Sequence, residues 1–166
     1  MSERPTLNEV SISGIGVIEK SNLEFGPGLT VITGETGAGK TMVLTALSLI
    51  LGAKTESRFV RAGSDRTIVS AEFEISKELQ SKVEELGAKV EDSSLLITRI
   101  ISSDGKSKAN VGGAPVPTAV LTELGENLIE VHAQSSSLRL NKESVQRELL
   151  DSFAQNQSTL SEYQQR

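Results

Sequence analysis

The sequence contains no cysteine and no tryptophan, a single histidine, one tyrosine and four phenylalanines. Without cysteine, disulfides, thiolate nucleophiles and Cys-ligated metals are excluded. With His132 as the lone imidazole, histidine-cluster metal sites and zincin-type helices are excluded as well. Aromatics are 3% of 166 residues and hydrophobic residues 37%, so one core of moderate size must be built from Val, Ile, Leu and Ala. Positive charge is in deficit: 17 Lys and Arg face 22 Asp and Glu, a formal net charge of −5. A generally basic nucleic-acid-binding surface is thereby excluded, and any such contact falls to a local patch or a partner chain. Long apolar runs are missing too. The richest, residues 42–51, is too short to span a bilayer. No apolar segment follows Met1-Ser2-Glu3-Arg4-Pro5, so no signal peptide is read and a cytoplasmic location is expected.

The hydrophobic pattern alternates between strand and helix periods. Val10 and Ile12 predict a short strand over residues 8–12, and Gly26-Pro27-Gly28 a turn. Leu29-Thr30-Val31-Ile32-Thr33 reads as a buried strand. Residues 40–51 are apolar nearly all round, predicting a helix buried on most sides, with Gly52 as its C-cap. The polar stretch 53–66 reads as a surface loop. Val69, Ala71, Phe73 and Ile75 alternate with polar residues, a half-exposed strand; Leu79, Val83 and Leu86 have helical spacing, closed by Gly87. Leu95 to Ile101 predicts a strand that returns at Asp104-Gly105 through residues 107–111, and Gly112-Gly113 a second turn. A short helix over 117–124, closed by Gly125, and a strand over 128–131 complete the pattern. From Ser144 the chain reads as helix, with Leu149, Phe153, Asn156, Leu160 and Tyr163 on a two-heptad seam. The expected fold is α/β, a mixed sheet with an antiparallel N-terminal portion around the helix 40–51.

The chemistry concentrates at one motif. Gly34-Glu35-Thr36-Gly37-Ala38-Gly39-Lys40-Thr41 fits G-x-x-x-x-G-K-[ST] at every fixed position. Glycines let backbone N–H groups converge on phosphate oxygens as an anion nest, and the following helix adds the positive end of its dipole. Lys40 places a charge on the β- and γ-phosphates, and the Thr41 hydroxyl takes one position on an octahedral Mg²⁺. A strand before the motif and an apolar helix after it are the context that supports it.

What a complete P-loop hydrolase also needs, an acid at the end of a buried strand, has no convincing candidate: Leu128-Ile129 before Glu130 is too short a run, and Leu149-Leu150-Asp151 lies in helical pattern. Asn141-Lys142-Glu143-Ser144 has Ser where a guanine-specific N-K-x-D needs Asp.

Three separated segments carry a family resemblance: "GPGLTVITGETGAGKTM", "LITRIISSDGKSKANVGGAPVPTAVLTELGENLIEVHAQS" and "LLDSFA". Together they resemble the start of an ABC-type ATPase head of the structural-maintenance-of-chromosomes (SMC) class, on its bacterial DNA-repair branch. The resemblance implies an N-terminal head lobe over residues 1–143 and the start of a coiled-coil helix over 144–166. It also implies a complementary C-terminal lobe bearing the signature and the Mg²⁺-binding acid. Two such heads sandwich two ATP molecules, and the complete protein holds DNA during recombinational repair of double-strand breaks, associated with the nucleoid and not with a membrane. Gln134 falls where the family's glutamine meets Mg²⁺ and the attacking water. Arg61 matches an arginine on the nucleotide or DNA side, and His132 is read as a strand-end histidine. Ala133 stands where a smaller residue, often Gly, is expected; the change alters loop freedom and leaves the glutamine in place. By this reading the chain binds nucleotide weakly and hydrolyses little or none alone. The alternatives are a small P-loop phosphotransferase with Lys54 to Arg66 as its lid, and a non-enzymatic, nucleotide-gated assembly module.

Overall fold

The computed structural model describes residues 5–34, 38–129, 131 and 143–154. The chain divides into two units, Met1–Val131 and His132–Arg166. In the first, strand β1 (Thr6–Ile15) turns into β2 (Ile18–Glu24), and helix α1 (Ala38–Ile50) follows. After a 3-10 turn at Ser57–Phe59 come β3 (Arg66–Glu74), α2 (Lys77–Glu85), β4 (Ser94–Ser102), β5 (Ser107–Val111), β6 (Ala114–Val116) and α3 (Thr118–Leu128). The described part of the second unit holds helix α4 (Glu143–Phe153).

The strands form one sheet in the order β2-β1-β3-β4-β5-β6, with every pairing antiparallel. Period-two alternation sends Val10 and Ile12, Val69, Ala71 and Phe73, and Leu95, Ile97 and Ile101 to one face, where they are buried. Against that core pack Val43, Ala46, Leu49 and Ile50 of α1, Leu79 and Val83 of α2, and Leu121, Leu124 and Leu128 of α3. Each Val, Leu, Ile or Phe side chain among them contributes about 1.5–3 kcal/mol by leaving water. Ser76 caps α2 by accepting a hydrogen bond from the Leu79 N–H. Gly52 ends α1 as expected, with its N–H on the Leu49 carbonyl and that of Ala53 on Ser48.

Four expectations are corrected. Residues 29–33 form no strand: Leu29 is 91% and Val31 69% exposed. A strand is held by a hydrogen-bonded neighbour, and among the described residues the sheet runs from β2 to β6 without including this segment. The parallel part of the expected mixed sheet is therefore not formed among the described residues, while the α/β class and the antiparallel portion stand. Residues 128–131 also differ. Leu128 closes α3, Ile129 is extended without a strand partner, and Glu130 lies outside the described residues. Gly125 does not close α3 but sits inside it, because a side chain there would press within 3.1–3.3 Å of Leu51. Finally, α1 is buried on one side only, and Leu44 is 43% exposed. Strands β2 and β6 were not anticipated; both are edges of the sheet.

Candidate nucleotide-binding site

The site begins at the N-terminus of α1. Its first turn carries no acidic residue, so nothing in that turn offsets the partial positive charge of the unpaired N–H groups. Lys40 is half-buried, and its ammonium donates to the carbonyl of Gly34 six residues back. The cation is therefore held beside Gly34, the first residue of the motif, from one residue past Gly39. Among the described residues nothing lies within 4 Å of a Cβ built at Gly39, and only the Lys40 ammonium approaches one at Gly34, at 3.8 Å. Thr41 is exposed, and its carbonyl accepts from the Thr45 hydroxyl at 2.9 Å. An exposed hydroxyl, a neighbouring ammonium and a bare helix N-terminus form a donor set that fits a Mg²⁺-bound polyphosphate. Glu35, Thr36 and Gly37 lie outside the described residues, as do the side chain of Ala38, Gln134 and His132.

Arg61 is tied to this end of the unit by the β1–β2 turn. Its backbone N–H donates to Gly14 at 2.9 Å, its Nη1 to Val17 at 2.9 Å and to Gly16 at 3.5 Å, and its Nη2 lies 3.9 Å from a Glu19 carboxylate oxygen. Gly16, at φ +51°, presses on α1: a Cβ there would stand 2.6 Å from the sulfur of Met42, the residue after Thr41. Arg61 thus braces a turn that abuts the first turns of the phosphate-loop helix. The loop 53–66 is anchored rather than free, since Val60 bridges Ile15 and the Phe59 carbonyl accepts from Gly16. Among the described residues no group of three or more His, Cys, Asp or Glu could hold a metal ion, and no helix is long and apolar enough to cross a membrane.

One buried residue escaped the reading of the sequence. Arg99 occupies an inward position of β4, between Ile97 and Ile101, and is 2% exposed. Its Nη2 donates to Ser107 Oγ at 3.1 Å, while Nε and Nη1 have no partner. Burial pulls its pKa below the ordinary arginine value. The available signal was a cation on the apolar phase of an alternating strand. An unsatisfied buried donor costs about 1–3 kcal/mol. Arg99→Met, which keeps the volume and removes the donors, is expected to raise the stability of the chain by about 1–3 kcal/mol. Urea unfolding checks this; a loss of more than 1 kcal/mol would show the guanidinium to be satisfied.

Fold and motif together place the chain in the P-loop ATPase fold class. The AAA domain family matches residues 9–166, and the chain belongs to that family. It is similar to DNA repair protein RecN of Streptomyces coelicolor, 41% identical over 145 residues that cover 86% of this chain and 25% of that protein. RecN of Vibrio cholerae is likewise 41% identical over 149 residues, covering 89% of this chain and 27% of that one. The chain spans about a quarter of the length of these relatives. Among solved structures, an SMC ATPase studied for ATP-driven dimerization and DNA-stimulated activation superposes with a TM-score of 0.60 at 19% identity, covering 87% of this chain and 96% of that one. The resemblance to SMC-type heads read from the sequence is thereby shown, and the fold is that of such a head.

Proposed function

We propose that this chain is the ATP-binding N-terminal lobe of a RecN-like head ATPase acting in DNA double-strand-break repair. The observation that carries the reading is the placement of Gly34, Gly39, Lys40 and Thr41 at the acid-free N-terminus of α1, with Lys40 reaching back to the Gly34 carbonyl. The backbone of residues 34–41, Glu35, Thr36, Gly37 and Ala38 included, would supply the N–H groups that hold the phosphates. Lys40 neutralises them, and Thr41 and Gln134 hold Mg²⁺, Gln134 also ordering the attacking water. Bound Mg²⁺ supplies charge neutralisation on the transferring phosphoryl group. Arg61 braces the nucleotide-facing turn. Residues 1–143 make up the lobe and 144–166 the first turns of a coiled coil. The seam residues Asn156, Leu160 and Tyr163 lie outside the described residues.

The exposure of Leu29, Val31, Ile32 and Leu44 supports a complementary C-terminal lobe as the missing neighbour, since apolar side chains on a strand-forming segment gain by being covered. That lobe supplies the catalytic acid and the signature, and two completed heads engage around ATP and part after hydrolysis. We place the complete protein in the cytoplasm at the nucleoid. The phosphotransferase alternative is disfavoured by the segment from Ser94 to Val116, which is hairpin sheet rather than lid. Calorimetry with Mg·ATP tests the reading: heat is expected with the chain, increasing when the complementary lobe is added, together with negligible steady-state hydrolysis by the chain alone. Absence of heat in both arms sinks it.

A further inference from the structure

The sheet has a second face, opposite the core, on which no residue of β3, β4 or β5 is buried. The register orders it into bands running across the strands. One band aligns Lys20, Ser13, Ile68, Ile100 and Lys108, with Arg66 one step further along β3. The next aligns Asn22, Ser11, Ser70, Thr98 and Asn110. The band after that aligns Glu24, Glu9, Glu72 and the exposed Leu96, with Glu74 beyond. At strand spacing, Lys20 and Lys108 stand about 19 Å apart, and the basic band lies about 14 Å from the acidic one. Lys20, Arg66 and Lys108 are exposed. In the neighbouring β4–β5 turn Lys106 is neutralised by Asp104 at 2.8 Å, which holds the Asp104 carboxyl below and the Lys106 ammonium above their ordinary values through their mutual hydrogen bond. The chain is net acidic, yet here three cations share one edge of a flat face with a row of hydroxyls and amides.

We propose that this face seats the phosphate backbone of double-stranded DNA. Lys20, Arg66 and Lys108 meet phosphates; Asn110 donates a hydrogen bond beside them, as does whichever of Ser70 and Thr98 accepts in their mutual 3.1 Å hydrogen bond and so keeps its own proton free. Cations with hydroxyls and amides are the side chains that contact DNA backbones without reading sequence. The face carries no aromatic residue, so it lacks both the stacking platforms that single strands require and the aromatic anchors of protein interfaces. The acidic band repels a duplex laid over it and confines the path to the basic edge. The inference rests on the DNA-repair reading above and adds the surface through which this lobe meets its polymer.

The test is fluorescence anisotropy of a labelled duplex with the 166-residue chain across a salt series. Lys20→Gln/Arg66→Gln/Lys108→Gln should lower the slope of log K against log salt by about 2.7, which removes about fortyfold of the affinity change between 50 and 200 mM salt. Glu9→Gln/Glu24→Gln should tighten binding, whereas Glu84→Gln/Glu85→Gln on α2, with the same change in net charge, should not. Circular dichroism melts confirm that each variant is folded. An unchanged slope in a folded triple variant overturns the proposal. So does equal tightening by both glutamate pairs, or no duplex binding at all. Mg·ATP calorimetry on the same proteins keeps the two readings apart: the triple variant should bind ATP as the parent does. Loss of ATP binding in the parent, with the salt slopes as expected, would count against the nucleotide reading alone.

Discussion

Lys40→Ala is expected to weaken Mg·ATP binding by about ten- to a hundredfold, the equivalent of the 1.5–3 kcal/mol carried by charged hydrogen bonds. The Lys40 ammonium donates to the Gly34 carbonyl, and a polyphosphate offers it several anionic oxygens, each a stronger acceptor than a neutral carbonyl. Stability should change little, because the contact it leaves is an exposed one to a carbonyl. Isothermal titration and a thermal melt on the same sample check both halves. If affinity is untouched while the protein stays folded, the phosphates lie elsewhere. Thr41→Ala should instead lower the Mg²⁺ dependence of nucleotide binding and spare binding of metal-free nucleotide, as expected of a metal ligand rather than a phosphate clamp.

Gly112→Ala is expected to cost about 2–5 kcal/mol, combining a left-handed backbone penalty with an overlap. Gly112 has φ +52°, and a Cβ built on it would lie 2.1 Å from the Lys89 carbonyl oxygen and 2.6 Å from the Lys89 nitrogen. The neighbours are backbone, not a side chain that could swing away. They are also fastened, since Lys89 N–H donates to Gly112 O at 3.2 Å and Gly112 N–H to Leu96 O at 2.8 Å. Gly113→Ala, also at positive φ but with nothing within 4 Å, should cost only the backbone penalty, about 1–2 kcal/mol. Chemical denaturation of the pair separates close approach from conformation; equal losses would refute the overlap.

These two glycines also show where the sequence was readable. Gly112-Gly113 was legible as a turn from composition alone, but the passage of the segment after α2 over Gly112 is a tertiary fact that no local pattern carries. The phosphate-loop motif stands out in the sequence because its chemistry fixes residue types at fixed spacing. Strands β1, β3, β4 and β5 were legible because each has one wet face, which imposes alternation. Strand β6 was not, since three residues are too few to show a period, and the only apolar residues of β2, Ile18 and Leu23, are five apart and so on opposite phases of the strand. The misreading of residues 29–33 has a different cause. An apolar β-branched run says that a segment is meant to be covered, but not that the covering strand lies in the same stretch of chain. Arg99 shows the converse limit, since alternation locates a residue on the inner face without showing how its charge is met.

The open segment 29–33 has a consequence for how such a chain is made and handled. A stretch that forms strands readily and waits for its neighbour is the kind that pairs with copies of itself when many chains emerge together. One flank restricts that hazard: Pro27 lacks an N–H to offer, and Gly28, at φ +94°, breaks the extended path before Leu29. A ladder between copies is thereby stopped from growing past that end.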